Sequence, residues 1–340
     1  MGSSLLRRAL LLLVLLGVVA GTALTLMLTL PFGPGRETFV EIEPGTSSFE
    51  IGKELEEHGI VRNRYAFYFW RALAGSLEGG TLKAGEYRFD HPASMSEIYD
   101  RVRRGDIFTI SVTVPEGSNI FDIAARVEAA GLGTKKAFEA AARSNTALVG
   151  DVDPHAVSLE GYLFPDTYQF GRLVTPEQMV AAMVKRFRSE AASLGLQGDV
   201  HRVVTLASLV ERETPIAQER PLVAGVFENR LAKDMPLMTD PSVIYAAQLE
   251  GRYRGAIFQS DLSSDSPYNT YKRTGLPPGP ICNPGGASLR AAMNPAKTDY
   301  LYFVAAGADP SGHSRFAATL EEHERNVRAY RQAIHEPVTR

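Results

Sequence analysis

The feature that most constrains the fold is the run of residues 203–214, which begins apolar and ends in acidic side chains. Up to Val210 the run is apolar nearly all round, which a helix tolerates only inside a core. Pro215 follows the run, and the residue before a proline is disfavoured in the α region. The sequence therefore predicts a buried helix that ends near Glu213.

The two acids of this helix lie on different faces. Glu213 continues the apolar stripe of Val203, Leu206 and Val210, whereas Glu211 lies about 200° round the helix from it. Burial and the negative end of the helix dipole both raise the pKa of a carboxyl group, and a Glu that stays protonated near neutral pH suits general acid catalysis. Glu213 is therefore the candidate catalytic acid. In the alternative, the acids at this helix end are solvated or paired with a neighbouring arginine.

The chain begins with a long uncharged segment, the 22 residues 9–30. As a helix these residues span about 33 Å, enough to cross the hydrocarbon core of a bilayer. Arg7 and Arg8 precede the segment, so the positive-inside rule places the N-terminus in the cytoplasm and the rest of the chain outside. The alternative is a cleaved signal peptide with its cleavage site near Ala20. The length of the run favours an uncleaved, single-pass anchor.

An internal repeat follows the anchor. Each copy has a short alternating strand, a turn, an amphipathic helix and a terminating glycine. The matching positions are offset by 72 residues: Val40, Gly45, Phe49, Ile51, Leu55, Gly59 and Ile60 with Val112, Gly117, Phe121, Ile123, Val127, Gly131 and Leu132. The pattern predicts a compact α+β module over residues 36–133, because there are too few copies for a solenoid.

This module resembles the LysM-like fold, which binds polymers of N-acetylglucosamine. The alternative is a packing or spacer domain without a ligand. The aromatic run at residues 65–70 is predicted to be a helix core and not a sugar-binding platform, because so dense a run is usually buried.

Composition excludes several classes of function. The net charge is −3 and no cluster of Lys and Arg is present, so we expect no nucleic-acid partner. Cys282 is the single cysteine, which excludes an internal disulfide framework and a cysteine-based zinc site. The sequence contains no GxSxG, P-loop or HExxH motif, and His313 and His323 have no third ligand at metal spacing. We therefore predict neither a metal nor a cofactor.

A loop-rich segment supplies candidate substrate-binding residues. Tyr268, Asn269, Thr270 and Tyr271 combine two aromatic faces with an amide and a hydroxyl group, the set that a polysaccharide groove uses. The alternative is a tightly packed Ω-loop.

Asp240 is best explained as the N-cap of a helix with Pro241 at its first position, a place at which it can also edge the cleft. We include Asp240 and Glu211 among the candidate substrate-binding residues.

Five strings occur in a fixed order: LASLVERET at 206–214, TDPSVIY at 239–245, YNTY at 268–271, GLPPG at 275–279 and YLYFV at 300–304. Together they resemble one family, the endolytic murein transglycosylases of bacteria. The resemblance implies an α+β protein in three parts. These are a cytoplasmic tip, transmembrane helix and linker over 1–35, the LysM-like module over 36–133, and a lysozyme-like, mostly helical catalytic domain with a small β element over 134–340.

The resemblance also implies a function. The protein would be anchored in the inner (plasma) membrane, with its catalytic domain in the periplasm. It would cleave the β-1,4 bond between N-acetylmuramic acid and N-acetylglucosamine without water, leave a 1,6-anhydro end and terminate nascent peptidoglycan strands. The family's catalytic Glu is the one that is followed by Thr, and in this sequence that residue is Glu213. Cell-wall synthases are the expected partners.

One carboxyl group suffices for this chemistry if the 6-hydroxyl group of the sugar attacks the anomeric carbon. A hydrolase needs a second carboxylate, which Glu211 or Asp240 would supply. A peptidoglycan-binding scaffold without catalysis is the alternative from a different class of protein.

Overall fold

The computed structural model describes residues 2–78, 80–307, 309 and 312–335. In this part of the chain the α-helices are Gly2–Thr29 (α1), Ser48–Glu57 (α2), Arg64–Glu78 (α3), Met95–Arg104 (α4), Ile120–Ala129 (α5), Lys135–Ser144 (α6), Pro176–Leu194 (α7), Val200–Glu213 (α8), Arg220–Leu231 (α9), Asp240–Leu249 (α10), Gln259–Leu262 (α11), Gly286–Met293 (α12) and Leu320–His335 (α13). The strands are Thr38–Ile42 (β1), Gly85–Phe89 (β2), Ile110–Thr113 (β3), Thr167–Phe170 (β4), Tyr302–Ala305 (β5) and Ser314–Ala317 (β6). They form the two-stranded sheets β1–β2, β3–β4 and β5–β6.

The chain forms two compact units, Met1–Ile110 and Ser111–Arg340. In the first unit β1 and β2 pair antiparallel, with Thr38 opposite Phe89, and α2 and α3 connect the two strands. The inward side chains of the strands and helices form one core. This β-α-α-β arrangement agrees with the predicted small α+β module.

Helix α1 contains the apolar stretch Leu10–Thr29, which is long and apolar enough to cross a membrane. Most of its side chains are exposed, but Leu28 is buried in the core of the first unit, and Leu24 and Met27 pack against that core. The apolar helix is therefore joined to the unit by side-chain packing as well as by the chain.

The predicted repeat is confirmed by matching local structure. Helices α2 and α5 lie at the same offset of 72 residues, and each begins with a capping box, Ser47 with Glu50 and Asn119 with Asp122. The turn glycines before these helices, Gly45 and Gly117, both have positive φ, at 87° and 76°. In the second copy, as in the first, two helices separate two paired strands, here β3 and β4. One sequence pattern thus folds twice into the same β-α-α-β unit.

The boundary between the two units lies at residues 110 and 111, whereas the sequence pattern placed the end of the module at 133. The second copy is bound to the rest of its unit by a buried side chain. The Asn283 amide donates to the Ser118 carbonyl group at 2.9 Å, and its oxygen accepts from the Leu163 N–H at 2.8 Å. The second copy therefore belongs to the unit that contains α8.

The aromatic run at the start of α3 is only partly a helix core, so that prediction is wrong in part. Ala66 and Phe67 are buried, but Tyr65 is 65%, Tyr68 51% and Phe69 48% exposed. The dense run has aromatic residues on both faces of the helix, and only one face meets the core.

The second unit is built around α8, which contacts α9, α10 and α12. Leu206, Leu209 and Val210 are fully buried, and the helix ends at Glu213, with Thr214 in an extended conformation. Both predictions for this helix are confirmed. The small β element expected in this part of the chain is present as β5 and β6, which run antiparallel.

The small residues of α8 let a loop approach the helix closely. The Ser208 hydroxyl group accepts from the Ile281 N–H at 3.0 Å, and the Cys282 thiol donates to the Ser208 carbonyl group at 3.3 Å. Cys282 is buried at this contact.

Because α8 carries the core of the second unit, we expect Leu209→Ala to lower the free energy of unfolding by about 2–5 kcal/mol through lost apolar burial and a cavity. Leu173 is 68% exposed, so Leu173→Ala should change it by no more than about 0.5 kcal/mol. Urea unfolding followed by circular dichroism measures both variants. Equal unfolding midpoints for the two would contradict this account of the core.

Candidate functional site

A surface-reaching cavity of about 480 Å³ contains the Glu213 side chain. Helices α8, α9, α10 and α13, strand β5 and the segment before α10 all contribute to it. Its lining residues are Glu213, Phe227, Arg230, Leu237, Met238, Thr239, Asp240, Tyr271, Tyr302, Phe303, Leu320 and His323.

Glu213 is half-buried at the end of α8. Burial, and to a smaller extent the negative charge of Asp240, raise the pKa of its carboxyl group to about 7, against opposing effects of Arg230 and Arg212. Among the residues that the structure describes, none forms a hydrogen bond to this carboxyl group. A side chain with these properties can hold a proton at neutral pH and release it to a bound molecule.

Asp240 also lines the cavity, but it is not the N-cap that the sequence predicted. The N-cap of α10 is Thr239, and Asp240 is the first residue of the helix. The Asp240 carboxylate accepts a hydrogen bond of 2.6 Å from the Tyr271 hydroxyl group. The prediction of a cap is wrong by one residue, because the helix already begins at Asp240; the Thr239 N–H before it donates to the Thr270 hydroxyl oxygen at 2.9 Å.

Of the string at 268–271, Tyr271 is the residue that lines this cavity. Asn269 is fully buried, and its amide donates to the carbonyl groups of Leu262 and Ser264. Thr270 is buried too, and its hydroxyl oxygen lies 2.8 Å from that of Ser242. Both side chains position the loop and the start of α10, as in the packed-loop alternative.

Tyr268 lies against a different cavity. Its ring packs edge-on against Tyr245, with the ring centroids 5.2 Å apart, and both rings border a space of about 230 Å³. Tyr268 therefore lines a cavity other than the one that contains Glu213, and its predicted substrate-binding role stays a prediction.

Glu211 is held away from the cavity. Its side chain is 4% exposed and forms an ion pair of 2.8 Å with Arg220, and it also accepts from the Gly285 N–H at 2.9 Å. These contacts give Glu211 a structural role, so the geometry does not support the substrate-binding role predicted for it. The two acids lie apart, as their helical spacing predicted.

Arg230 is a residue of the cavity that the sequence reasoning missed. Its guanidinium group donates to the carbonyl groups of Leu301 and Leu237, each at 2.7 Å, and lies 5.5 Å from the centre of the Tyr302 ring. A signal for it was present, because Arg230 follows Phe227 by three residues on the apolar stripe of α9. A polar residue that continues an apolar stripe is the same signal that singled out Glu213.

His323, which the sequence suggests only as a possible metal ligand, lines this cavity. Its ring stacks on Tyr302 at a centroid distance of 5.1 Å, and burial, followed by the charge of Arg230, lowers its pKa. Within the described ranges, no group of three or more His, Cys, Asp and Glu side chains is placed to hold a metal ion.

The backbone beside the cavity is strained at one position. Met238 has a φ of 53°, in the left-handed region that residues with a Cβ atom rarely adopt. The Thr270 carbonyl group accepts its N–H at 3.0 Å. This contact helps to stabilise the strained turn. The turn positions Thr239 and Asp240 at the edge of the cavity.

Fold and site together define a protein with a half-buried glutamic acid in an aromatic cleft, and with a small β-α-α-β unit packed against an apolar N-terminal helix. The chain belongs to the YceG-like family, whose sequence model matches residues 40–329.

Curated relatives agree with this family. The protein named endolytic murein transglycosylase of Bacillus subtilis is 34% identical over 311 residues, which cover 86% of this chain and 84% of that protein. The protein of the same name from Streptococcus pneumoniae is 32% identical over 320 residues, and the match spans 57% of its length.

A solved structure is also similar. The crystal structure of a protein described as YceG-like from Listeria monocytogenes has a TM-score of 0.54 and 34% identity. The match covers 86% of this chain and 99% of that one.

Replacement of Asp240 by Asn tests the electrostatics of the site. The change keeps an acceptor for Tyr271 but removes a negative charge that raises the pKa of Glu213 from its ordinary value towards about 7. The pKa of Glu213 should therefore fall, and less of the acid is protonated at neutral pH. We expect the alkaline limb of the kcat/KM profile against pH to move to lower pH, with a loss of about two- to fivefold at pH 7.

Asp265→Asn is the matched control, because the Asp265 carboxylate is exposed and paired with Lys272 outside the cavity. Its pH profile should match that of the wild type. An alkaline limb that stays in place in the Asp240 variant would show that this charge does not act on the Glu213 carboxyl group.

Proposed function

We propose that this protein is an endolytic murein transglycosylase, the activity named for its curated relatives, with Glu213 as its catalytic acid. The observation that carries the proposal is the Glu213 carboxyl group, which has a pKa of about 7 and lies in an aromatic cavity. The proposed substrate is the glycan strand of peptidoglycan, cleaved between N-acetylmuramic acid and N-acetylglucosamine.

Glu213 serves first as acid and then as base. Its proton passes to the glycosidic oxygen as the bond from that oxygen to the anomeric carbon breaks. The 6-hydroxyl oxygen of the muramyl residue then bonds to the anomeric carbon, and the Glu213 carboxylate takes the hydroxyl proton. The product is a 1,6-anhydro-muramyl end, and Glu213 is protonated again for the next cycle.

The neighbouring residues support both halves of this cycle. Arg230 favours the carboxylate form of Glu213 and so stabilises it after the first proton transfer, while Asp240 favours the acid form. Tyr271 and Tyr302 supply aromatic faces to the cavity, on which the apolar CH surfaces of sugar rings stack. Tyr271 and Asp240, joined by their hydrogen bond, are the proposed substrate-binding pair.

The proposal extends to the location of the enzyme. Helix α1 would be a single-pass anchor in the plasma membrane, with both compact units on the outer side. The first unit would be a LysM-like module and the second a lysozyme-like catalytic domain. An enzyme held there meets strands as they are made, so it would terminate them beside the cell-wall synthases that are its proposed partners.

A hydrolytic muramidase is the second candidate function. The observation in its favour is a second carboxylate, Asp240, in the same cavity as Glu213. A hydrolase would use that carboxylate as nucleophile or base. Because the Asp240 carboxylate is already bound to the Tyr271 hydroxyl group, we rank this mechanism second.

Digestion of purified glycan strands, followed by mass spectrometry, tests the proposal. The wild type should yield fragments with 1,6-anhydro ends, whereas hydrolysis would add the mass of one water. Glu213→Gln should lower the rate by about 10²–10⁴-fold, because Gln cannot donate or accept the transferred proton. Its thermal unfolding should stay cooperative, since the substitution removes only a titratable group.

Glu177→Gln provides a matched control, because Glu177 is exposed in the first turn of α7. It should keep full activity. Fragments without anhydro ends would show that the enzyme is a hydrolase and not a transglycosylase. Full activity of Glu213→Gln would show that Glu213 is not the catalytic acid. Binding of glycan without any cleavage by the wild type would leave only a scaffold.

A further inference from the structure

Helix α3 is a surface helix that is apolar on both faces. Its inward face carries Ala66 and Phe67, which are buried in the core of the first unit. Its outward face carries Tyr65, Tyr68, Phe69 and Leu73, which are 65%, 51%, 48% and 48% exposed. A contiguous group of exposed apolar side chains on a surface typically marks an interaction site, so the outward face indicates a binding partner.

The exposed patch extends beyond α3. Phe49 of α2 is 39% exposed, and its ring centroid lies 5.8 Å from that of Tyr65 and 6.2 Å from that of Tyr68. Three aromatic rings thus form one cluster on the surface of the first unit. We call Phe49, Tyr65, Tyr68, Phe69 and Leu73 the aromatic patch.

The N-terminal end of α3 lies where the apolar stretch of α1 ends. Arg62, two residues before α3, donates to the Pro31 carbonyl group at 3.4 Å, and its guanidinium carbon lies 4.8 Å from the centre of the Phe32 ring. Tyr65 follows Arg62 by three residues. The aromatic patch therefore begins close to the residues that would leave the bilayer.

The core of the first unit packs against the C-terminal part of α1. Leu24, Met27 and Leu28 lie inside the apolar stretch Leu10–Thr29, yet they pack on the core of the unit, and α1 contacts both α3 and α4. Five residues of helix, from 24 to 28, rise about 7 Å. If Thr29 marks the bilayer boundary, the unit must reach the headgroup and glycerol region.

We propose that the aromatic patch docks on the outer surface of the phospholipid bilayer, so that the first unit rests on the membrane that α1 spans. Tyrosine and other aromatic side chains favour this interfacial depth, because their rings are amphipathic or polarisable and one end remains hydrated. Arg62 beside the patch matches the negative phosphate groups of the lipids. The inference rests on the proposed membrane anchor and goes beyond it, since an anchor alone leaves the unit free above the bilayer.

Depth measurements on the full chain in lipid nanodiscs test the docking. Nitroxide labels are introduced one at a time with Tyr65→Cys, Phe69→Cys, Glu41→Cys and Leu15→Cys; Cys282 is buried and should stay unlabelled. The ratio of collision rates with oxygen and with a water-soluble nickel complex reports the depth of each label. Leu15 is the reference for the hydrocarbon core and Glu41, an exposed residue of β1, is the reference for water.

We expect the labels at 65 and 69 to fall between these two references. If they match the label at 41 while the label at 15 lies in the hydrocarbon, the docking is overturned and the anchor stands. If the label at 15 is exposed to water, the anchor and the docking both fail. The proposed cleavage chemistry is measured separately and is touched by neither outcome.

The single tryptophan, Trp70 of α3, provides a second measurement without any substitution. It lies on the partly buried side of the same helix. Docking predicts that lipids brominated near the glycerol region quench its fluorescence more than lipids brominated near the chain ends. Labels at 65 and 69 that are protected from nickel without such quenching would mean that protein or glycan covers the patch, which also overturns the proposal.

Discussion

The site depends on a carboxyl group that is partly withdrawn from water and has no hydrogen-bond partner in the described part of the chain. A charged carboxylate in that place lacks the compensation that water or a donor would provide, so the acid form is favoured. The packing of α8 against α9, α10 and α12 holds Glu213 there. The raised pKa of Glu213 is therefore a consequence of how the core of the second unit is packed.

Glu211 and Glu213 show that environment, not residue type, decides the role of an acid. Both belong to the last turn of the same helix, and burial raises the pKa of both. Glu211 has Arg220 and the Gly285 N–H to stabilise its charge, and it ties the helix end to the loop before α12. Among the described residues Glu213 has neither a hydrogen-bond partner nor an ion pair, so the acid form of its carboxyl group is favoured.

The repeat shows one sequence pattern in two settings. The first strand, the capping box and the turn glycine of each copy recur at an offset of 72 residues because each is a local requirement of the same β-α-α-β unit. The surroundings of the copies differ. The first copy is combined with α1 and carries the aromatic patch, whereas Asn283 ties the second copy into the unit that contains the cavity.

Local sequence patterns were enough to predict the end of α8 before Pro215, the repeat, and the different faces of Glu211 and Glu213. These follow from helical and strand periods and from proline, which act over a few residues. Three features became visible only in the folded chain. Arg230, Tyr302 and His323 line the same cavity as Glu213, and Asn269 and Thr270 are buried. The second copy of the repeat belongs to a different compact unit from the first copy. Those features depend on contacts between distant segments, which lie as far apart in the chain as Ser118 and Asn283, 165 residues. A local sequence pattern does not show which segments come into contact.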